Sequence, residues 1–137
     1  MPLNKPALLT KLAILGLSTA LLTTANASQA GDAAKGERLY RACAVCHSTD
    51  AGVNKVGPSL YNVIGHQAAK VEGYRYSRAM KAYGEAGNVW SEETLDTFLT
   101  SPRQTVPRTK MGYPGMRKEQ DREDLIAYLS SLSDGAE

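Results

Sequence analysis

One short run of the chain combines two thiols and an imidazole at a spacing that suits chemistry, Cys43-Ala44-Val45-Cys46-His47. Two cysteines spaced in this way at a helix end can each add across one vinyl group of a haem, and the adjacent histidine can then hold its imidazole against the iron. The spacing is typical of covalent haem attachment. The sequence therefore predicts one haem c, bound through Cys43 and Cys46, with His47 as an iron ligand.

Two other kinds of site use closely spaced cysteines. A thioredoxin-like dithiol would lie in a βαβ unit, but no segment of this sequence alternates apolar and polar residues as a strand does. A zinc ion would need four ligands, and the sequence contains no second cysteine pair. Both interpretations are therefore weaker than haem attachment.

A haem that transfers electrons needs a second iron ligand. The candidates after the first 30 residues are His66, Met80, Met111 and Met116. Met111 lies in the middle of a proline-rich loop, Pro102 to Gly115, and loops of this length are uncommon in compact domains unless something organises them. A bond from the Met111 thioether to iron would do so, whereas packing alone explains Met80 and Met116. Ligation by His and Met also suits a carrier, because it raises the haem potential.

The elements that would position these ligands are predicted to be helical. Asp32 and Ser91, each followed by good helix formers, mark the starts of two helices. A stripe of apolar residues at i, i+3, i+4 and i+7 marks a third near the C-terminus. The predicted helices span residues 32–43, 91–101 and 118–132, with shorter helical turns at 60–64 and within 74–83. The predicted fold class is all-α, with three main helices and long loops wrapped around one haem.

The first 30 residues differ in composition from the rest of the chain. Two lysines precede an uncharged apolar run, Leu12 to Leu22, which is shorter than the roughly 20 residues that a membrane-spanning helix needs. Small residues then offer cleavage after Ala27 or Ala30. We therefore expect residues 1–30 to be a cleavable secretory signal peptide and residues 31–137 to form one domain in the periplasm.

The charge of the mature domain argues against one class of partner. The whole chain has 16 basic and 14 acidic residues, and the two lysines of the leader supply the entire excess. A formally neutral domain has no dominant basic field to neutralise phosphates, so nucleic-acid binding is not expected. The charge is nevertheless uneven, because residues 97–118 hold five basic residues and no acidic one. These basic residues are Arg103, Arg108, Lys110, Arg117 and Lys118.

The motifs follow one another in an order that one family shares. From Gly31 to Leu132 the chain resembles the class I cytochromes c, which include mitochondrial cytochrome c and small soluble bacterial carriers. The resemblance covers nearly the whole mature chain. Six further segments carry the resemblance besides the haem motif. They are Gly36 with Leu39-Tyr40, Gly57-Pro58-Ser59-Leu60, Gly73-Tyr74-Arg75-Tyr76, Trp90 to Leu95, Pro107 to Met111, and Arg122 to Leu129.

The resemblance implies roles for individual residues. Met111 would be the distal iron ligand, and the Pro58 carbonyl would accept a hydrogen bond from the unligated ring N–H of His47. Gly36 would let the first and last helices cross closely beside Tyr128. Polar contacts with the haem propionates would come from Tyr76, Trp90 and Thr109.

Three positions depart from the family's pattern. His66 stands where the family often has an arginine near a propionate, and an ordinary exposed histidine is the alternative. Arg108 replaces the usual glycine just before Thr109, so the backbone there could differ. Phe98 stands where many relatives have a tyrosine that hydrogen-bonds the methionine sulfur, so the reduction potential need not match theirs.

The implied function is electron transfer without catalysis. We expect a soluble periplasmic monomer that shuttles one electron between membrane or periplasmic redox complexes and acts on no small-molecule substrate. The alternative is a haem-bearing electron-transfer subunit of a periplasmic dehydrogenase or oxidase complex. Ligation by Met111 disfavours a peroxidase or a gas-binding protein with an open iron site. The resemblance also places the basic residues around the haem edge beside Met111, with Tyr113 at the surface, so partners with acidic patches are expected.

Overall fold

The fold is built from helices joined by long loops, and the computed structural model describes Met1 and residues 30–133. The helices in this part of the chain are α1 (Ala33–Tyr40), α2 (Arg78–Glu85), α3 (Glu92–Thr100), α4 (Pro102–Thr105) and α5 (Glu119–Ser131). None of these described helices is long and apolar enough to cross a membrane. Strand-like pairing in residues 30–133 amounts to one isolated bridge, between Gln67 and Val89. The predicted all-α fold class is confirmed, while the predicted signal peptide lies outside the described residues.

Side-chain caps begin the first two of the three main helices that were predicted, whereas α5 begins without one. Asp32 accepts a hydrogen bond from the backbone N–H of Lys35 at 3.1 Å and starts α1. Ser91 does the same for Thr94 at 3.1 Å and starts α3, which ends before Pro102 as predicted. The first helix ends three residues earlier than predicted, because residues 41–46 form turns.

Three short segments differ from the prediction. Residues 60–64 form turns and no helix, and Asn62 has a φ of 53° there. The second helix begins only after its cap Ser77, and it continues through Gly84. A Cβ atom at Gly84 would overlap the carbonyl of Ala68. This glycine therefore lets α2 pack closely against the backbone of Ala68, and the helix continues through it. The one-turn helix α4 was not predicted; its first residue, Pro102, has the fixed φ that suits a first turn.

The first and last helices cross at Gly36, as the resemblance implies. A Cβ atom at Gly36 would overlap the carbonyl oxygen of Asp124 and the Cβ of Tyr128, so only glycine lets the two backbones approach this closely. The buried carboxylate of Asp124 also accepts a hydrogen bond from the backbone N–H of Asp32 at 2.7 Å. These contacts fix α1 on α5 directly before the turn that carries the cysteines.

The buried side chains form two clusters. The first contains Tyr40, Val63, Leu95, Leu99, Leu125, Ile126 and Leu129, and the second contains Ala68, Met80, Phe98 and Val106. Trp90 packs against both. Cys43 packs against the first cluster and Met111 against the second. The turn that carries the two cysteines, here called the cysteine turn, and the loop from Pro102 to Gly115 that carries Met111, here called the methionine loop, therefore contact the core through different clusters.

Candidate haem-binding site

The two cysteines lie on a tight turn that continues from α1. The backbone N–H of Cys43 donates to the carbonyl of Tyr40 at 2.7 Å, and those of Cys46 and His47 both donate to the carbonyl of Cys43 at 2.9 Å. Both thiols are free and partly buried. Burial, and then the neighbouring Cys46, raises the pKa of the Cys43 thiol. The described residues around this turn form no βαβ unit, in which a thioredoxin-like dithiol would lie.

The imidazole of His47 is held in one tautomer. Its Nδ1 lies 2.7 Å from the carbonyl oxygen of Pro58, and because a carbonyl can only accept, Nδ1 carries the proton. The ring lone pair is therefore on Nε2, where a metal binds. Burial lowers the pKa of His47; the Pro58 hydrogen bond opposes this shift, and the charge of Lys55 adds to it. The hydrogen bond that the resemblance implies is present, and it leaves a neutral ring able to ligate iron.

Two residues without a predicted role toward His47 keep it in place. The hydroxyl of Tyr40 donates to the His47 carbonyl at 3.1 Å. The pKa of Tyr40 is raised to about 12, mainly because the phenol is buried. A Cβ atom at Gly57 would overlap the imidazole, and the Gly57 N–H donates to the carbonyl of Cys46 at 2.7 Å. A glycine directly before Pro58 is the sequence signal that could have indicated this close approach.

The loop that carries Met111 is anchored by protein contacts on both sides. Upstream, Val106 is 2% exposed and its carbonyl accepts from the N–H of Thr109 at 3.0 Å. Downstream, the N–H of Met116 donates to the carbonyl of Leu99 at 2.8 Å. A bond between Met111 and iron was expected to order this loop, and these protein contacts also hold it on both sides of Met111.

Met111 is partly buried, and its side chain packs against the second cluster. Its backbone N–H donates to the hydroxyl of Thr109 at 3.3 Å. The other candidate ligands have different surroundings: Met80 is buried within the second cluster, Met116 packs against the first, and His66 is exposed. Packing therefore accounts for Met80 and Met116, and iron ligation by Met111 stays a prediction.

The residue that follows the methionine loop packs against the same part of the core as the cysteine turn. Met116 and Cys43 both lie against the first cluster, although Met111 itself lies against the second. The chain after Met111 therefore returns toward the turn that carries His47, although the two segments are far apart in the sequence. Burial is the main cause that raises the pKa of the Tyr113 phenol.

The three residues predicted to contact propionates are all partly buried. The hydroxyl of Tyr76 accepts a hydrogen bond from the N–H of Val71 at 3.3 Å, and burial is the main cause that raises its pKa. The ring of Trp90 lies 5.0 Å from that of Phe98, centre to centre. The hydroxyl of Thr109 is the acceptor that orients the Met111 backbone. Their contacts with propionates stay predictions.

Arg108 keeps a backbone conformation that favours glycine. Its φ is 68°, in the left-handed region, and its side chain is exposed. This conformation costs an L-residue about 1 to 2 kcal/mol. The replacement of the family's glycine therefore leaves a strained residue shortly before Met111.

The residues fit a covalently bound haem. Two free thiols, an imidazole with a free Nε2 and a thioether supply the attachment points and the iron ligands. Several apolar side chains around them are only partly buried, namely Leu60, Ile64, Tyr76, Trp90 and Met111. A small domain with so much half-covered apolar surface suits a large planar cofactor. A zinc site does not fit, because residues 30–133 contain no group of three or more His, Cys, Asp or Glu side chains arranged to hold a metal ion.

Comparisons with known proteins agree with this site. The model of the cytochrome c family matches residues 33–133. Cytochrome c of Euglena viridis is 45% identical over 105 residues, which cover 76% of this chain and 100% of that protein. Cytochrome c2 of Afifella marina is 43% identical over 106 residues, which cover 76% of this chain and 86% of that one. The structure of cytochrome c2 from Rhodospirillum centenum aligns with a TM-score of 0.71 at 36% identity, covering 76% of this chain and 100% of that one. The chain therefore belongs to the cytochrome c family, whose members carry a covalently attached haem c and transport electrons.

Proposed function

We propose that this protein is a single-haem electron carrier of the periplasm that passes one electron at a time between redox complexes. The observation that carries the proposal is that the His47 ring is held by Pro58 with Nε2 free, while the loop that carries Met111 is anchored by protein contacts on both sides. If His47 and Met111 both bind the haem iron, no coordination position remains there for a substrate. The protein then acts as a carrier and not as an enzyme.

Each site residue has a defined part in this function. Cys43 and Cys46 form two thioether bonds that prevent loss of the cofactor. When bound, haem c supplies a one-electron ferric–ferrous couple. His47 would hold the iron through Nε2, and the hydrogen bond from its Nδ1–H to the Pro58 carbonyl would keep the ring oriented. Met111 would supply the second iron ligand from an anchored loop, so that little of the chain would have to rearrange when the electron moves.

One experiment tests both the removal of the leader on export and the covalent attachment of the haem. The leader pattern of residues 1–30 supports cleavage after Ala27 or Ala30, which leaves the cytochrome c domain. The purified protein should therefore lack the leader, exceed the mass of the remaining chain by one haem, and keep its colour in acid–acetone. Release of the haem into the solvent would contradict the covalent attachment.

Methionine substitutions test the ligation. Met111→Ala should abolish the optical band of a methionine–ferric haem bond, lower the reduction potential and admit cyanide or carbon monoxide. Met80→Ala and Met116→Ala should keep the band, because these side chains belong to the packing clusters. If Met80→Ala removed the band, the choice of Met111 would be wrong.

A further inference from the structure

The peptide unit between Pro58 and Ser59 has a hydrogen-bond partner on each side. Its carbonyl oxygen, from Pro58, lies 2.7 Å from Nδ1 of His47 and accepts the hydrogen bond that orients the ring. Its N–H, from Ser59, donates to Oδ1 of Asn54 at 2.9 Å. Because a peptide unit is planar and rigid, a partner that fixes the direction of the N–H also fixes the direction of the carbonyl.

The side chain of Asn54 is itself held in one orientation. Its Nδ2 donates to the carbonyl of Glu72 at 2.8 Å. The Ser59 N–H can only donate and the Glu72 carbonyl can only accept, so the amide cannot turn over without losing both hydrogen bonds. Asn54 is partly buried and Ser59 is 3% exposed, which keeps most water away from this contact. One chain of hydrogen bonds therefore runs from Glu72 to His47.

This chain acts on the electron density of the imidazole. Hydrogen bonds in series polarise one another, so the bond from Ser59 to Asn54 shifts electron density toward the Pro58 oxygen. A more negative oxygen accepts more strongly from the His47 Nδ1–H, and Nε2 becomes a stronger donor to a metal. A stronger donor stabilises ferric iron more than ferrous iron, so it lowers the reduction potential.

We propose that Asn54 is a positioning residue for His47, which it orients and makes more electron-donating through the Pro58–Ser59 peptide. This inference rests on His47 as an iron ligand of the proposed carrier. It assigns part of the control of the reduction potential to a residue outside the haem motif. The alternative is that Asn54 only ties the loop before Pro58 to the loop of Glu72, in which case it would affect stability alone.

Tyr74 provides a matched control for this alternative. Its hydroxyl donates to the carbonyl of Val56 at 2.7 Å and so joins the same two loops. The N–H of that peptide unit, from Gly57, donates to the carbonyl of Cys46 and not to the His47 ring. Tyr74→Phe therefore removes a contact between the loops and leaves the hydrogen bond of the imidazole in place.

The first measurement is the reduction potential of each holoprotein. Asn54→Leu removes both hydrogen bonds of the side chain, and it should raise the potential. At a fixed applied potential the ratio of ferrous to ferric protein should roughly double, as for the loss of one polarising bond in the chain. Tyr74→Phe should unfold at a lower urea concentration than wild type and keep the wild-type potential.

The second measurement is hydrogen exchange of the His47 Nδ1–H, followed by NMR in the ferrous protein and expressed relative to core amides. Asn54→Leu should exchange this proton faster than wild type. Asn54→Asp keeps an oxygen that accepts from Ser59 and adds a charge that strengthens the bond, so it should exchange the proton more slowly. Tyr74→Phe should leave the relative rate unchanged.

Every other outcome counts against the inference. A wild-type potential and exchange rate in Asn54→Leu would overturn it and leave the carrier function standing. Equal shifts in Asn54→Leu and Tyr74→Phe would also overturn it, because a contact between the loops would then explain both. If Asn54→Leu failed to fold, exchange in Asn54→Asp as fast as in wild type would overturn it. A wild-type protein without a reversible one-electron couple would overturn the carrier function, and this inference with it.

Discussion

Arg122 on α5 donates from Nε to the carboxylate of Asp96 on α3 at 2.6 Å. The same guanidinium donates from Nη1 to the carbonyls of Met116 and Arg117, at 2.9 and 3.2 Å. Arg122 is buried. One cation therefore joins two helices and the downstream end of the loop that carries Met111.

Removal of this cation should destabilise the fold. Arg122→Ala leaves two carbonyls without their donor, and we expect the free energy of unfolding to fall by about 2 kcal/mol. The loss stays below that of a fully buried pair, because the Asp96 side chain is 35% exposed and can be hydrated. Asp96→Asn keeps an oxygen that can accept from Nε, and it should cost only about 1 kcal/mol. Urea denaturation of the holoproteins measures both, and equal losses would mean that the two carbonyl contacts contribute nothing.

The strain at Arg108 gives a second prediction. Glycine adopts a φ of 68° freely, whereas alanine does not, so Arg108→Gly should be more stable than Arg108→Ala by about 1 kcal/mol. Both variants remove the same exposed side chain, so the difference between their free energies of unfolding measures the cost of the left-handed backbone conformation. Thermal or urea unfolding of the two holoproteins provides the measurement. A more stable alanine variant would show that the left-handed conformation is not retained.

The capping carboxylate of Asp32 predicts a pH dependence. The hydrogen bond from the Lys35 backbone is the main cause that lowers the pKa of Asp32 below its ordinary value of 3.8. A group whose pKa is lower in the folded state stabilises the fold above the unfolded pKa, and this contribution is lost as the pH falls through the folded pKa. Wild type should therefore be more stable than Asp32→Asn at pH 7, and the difference should shrink below pH 4. Urea midpoints at several pH values measure it, and a constant difference would contradict the prediction.

The parts of the fold that were predicted correctly depend on local chemistry. Asp32 and Ser91 cap helices through neighbours three residues away, and the haem motif is contiguous, so the sequence displays both directly. The role of Arg122 joins residues that are distant in the sequence, and nothing in its neighbourhood indicates which carboxylate it will meet. The same reason explains why the anchoring of the methionine loop required the structure.

The basic residues of segment 97–118, which includes the methionine loop, lead to a prediction about partners. Arg103, Arg108, Lys110, Arg117 and Lys118 are all exposed. The ammonium group of Lys110 donates to the carbonyl of Arg75 at 3.3 Å, so it lies beside another exposed basic residue. If partners present acidic patches, these charges steer the encounter, and their effect must decline as salt screens it.

Charge reversal tests this steering. At low ionic strength Lys110→Glu and Arg103→Glu should be oxidised several-fold more slowly than wild type by washed membranes of the source organism. The deficit should shrink as the salt concentration rises, because the Debye length falls to about 10 Å at 0.1 M. Glu92→Lys is the matched control, since Glu92 is exposed at the start of α3, where it accepts a hydrogen bond from Ser130. Equal and salt-independent rates for the three charge variants would exclude the methionine loop from the docking face.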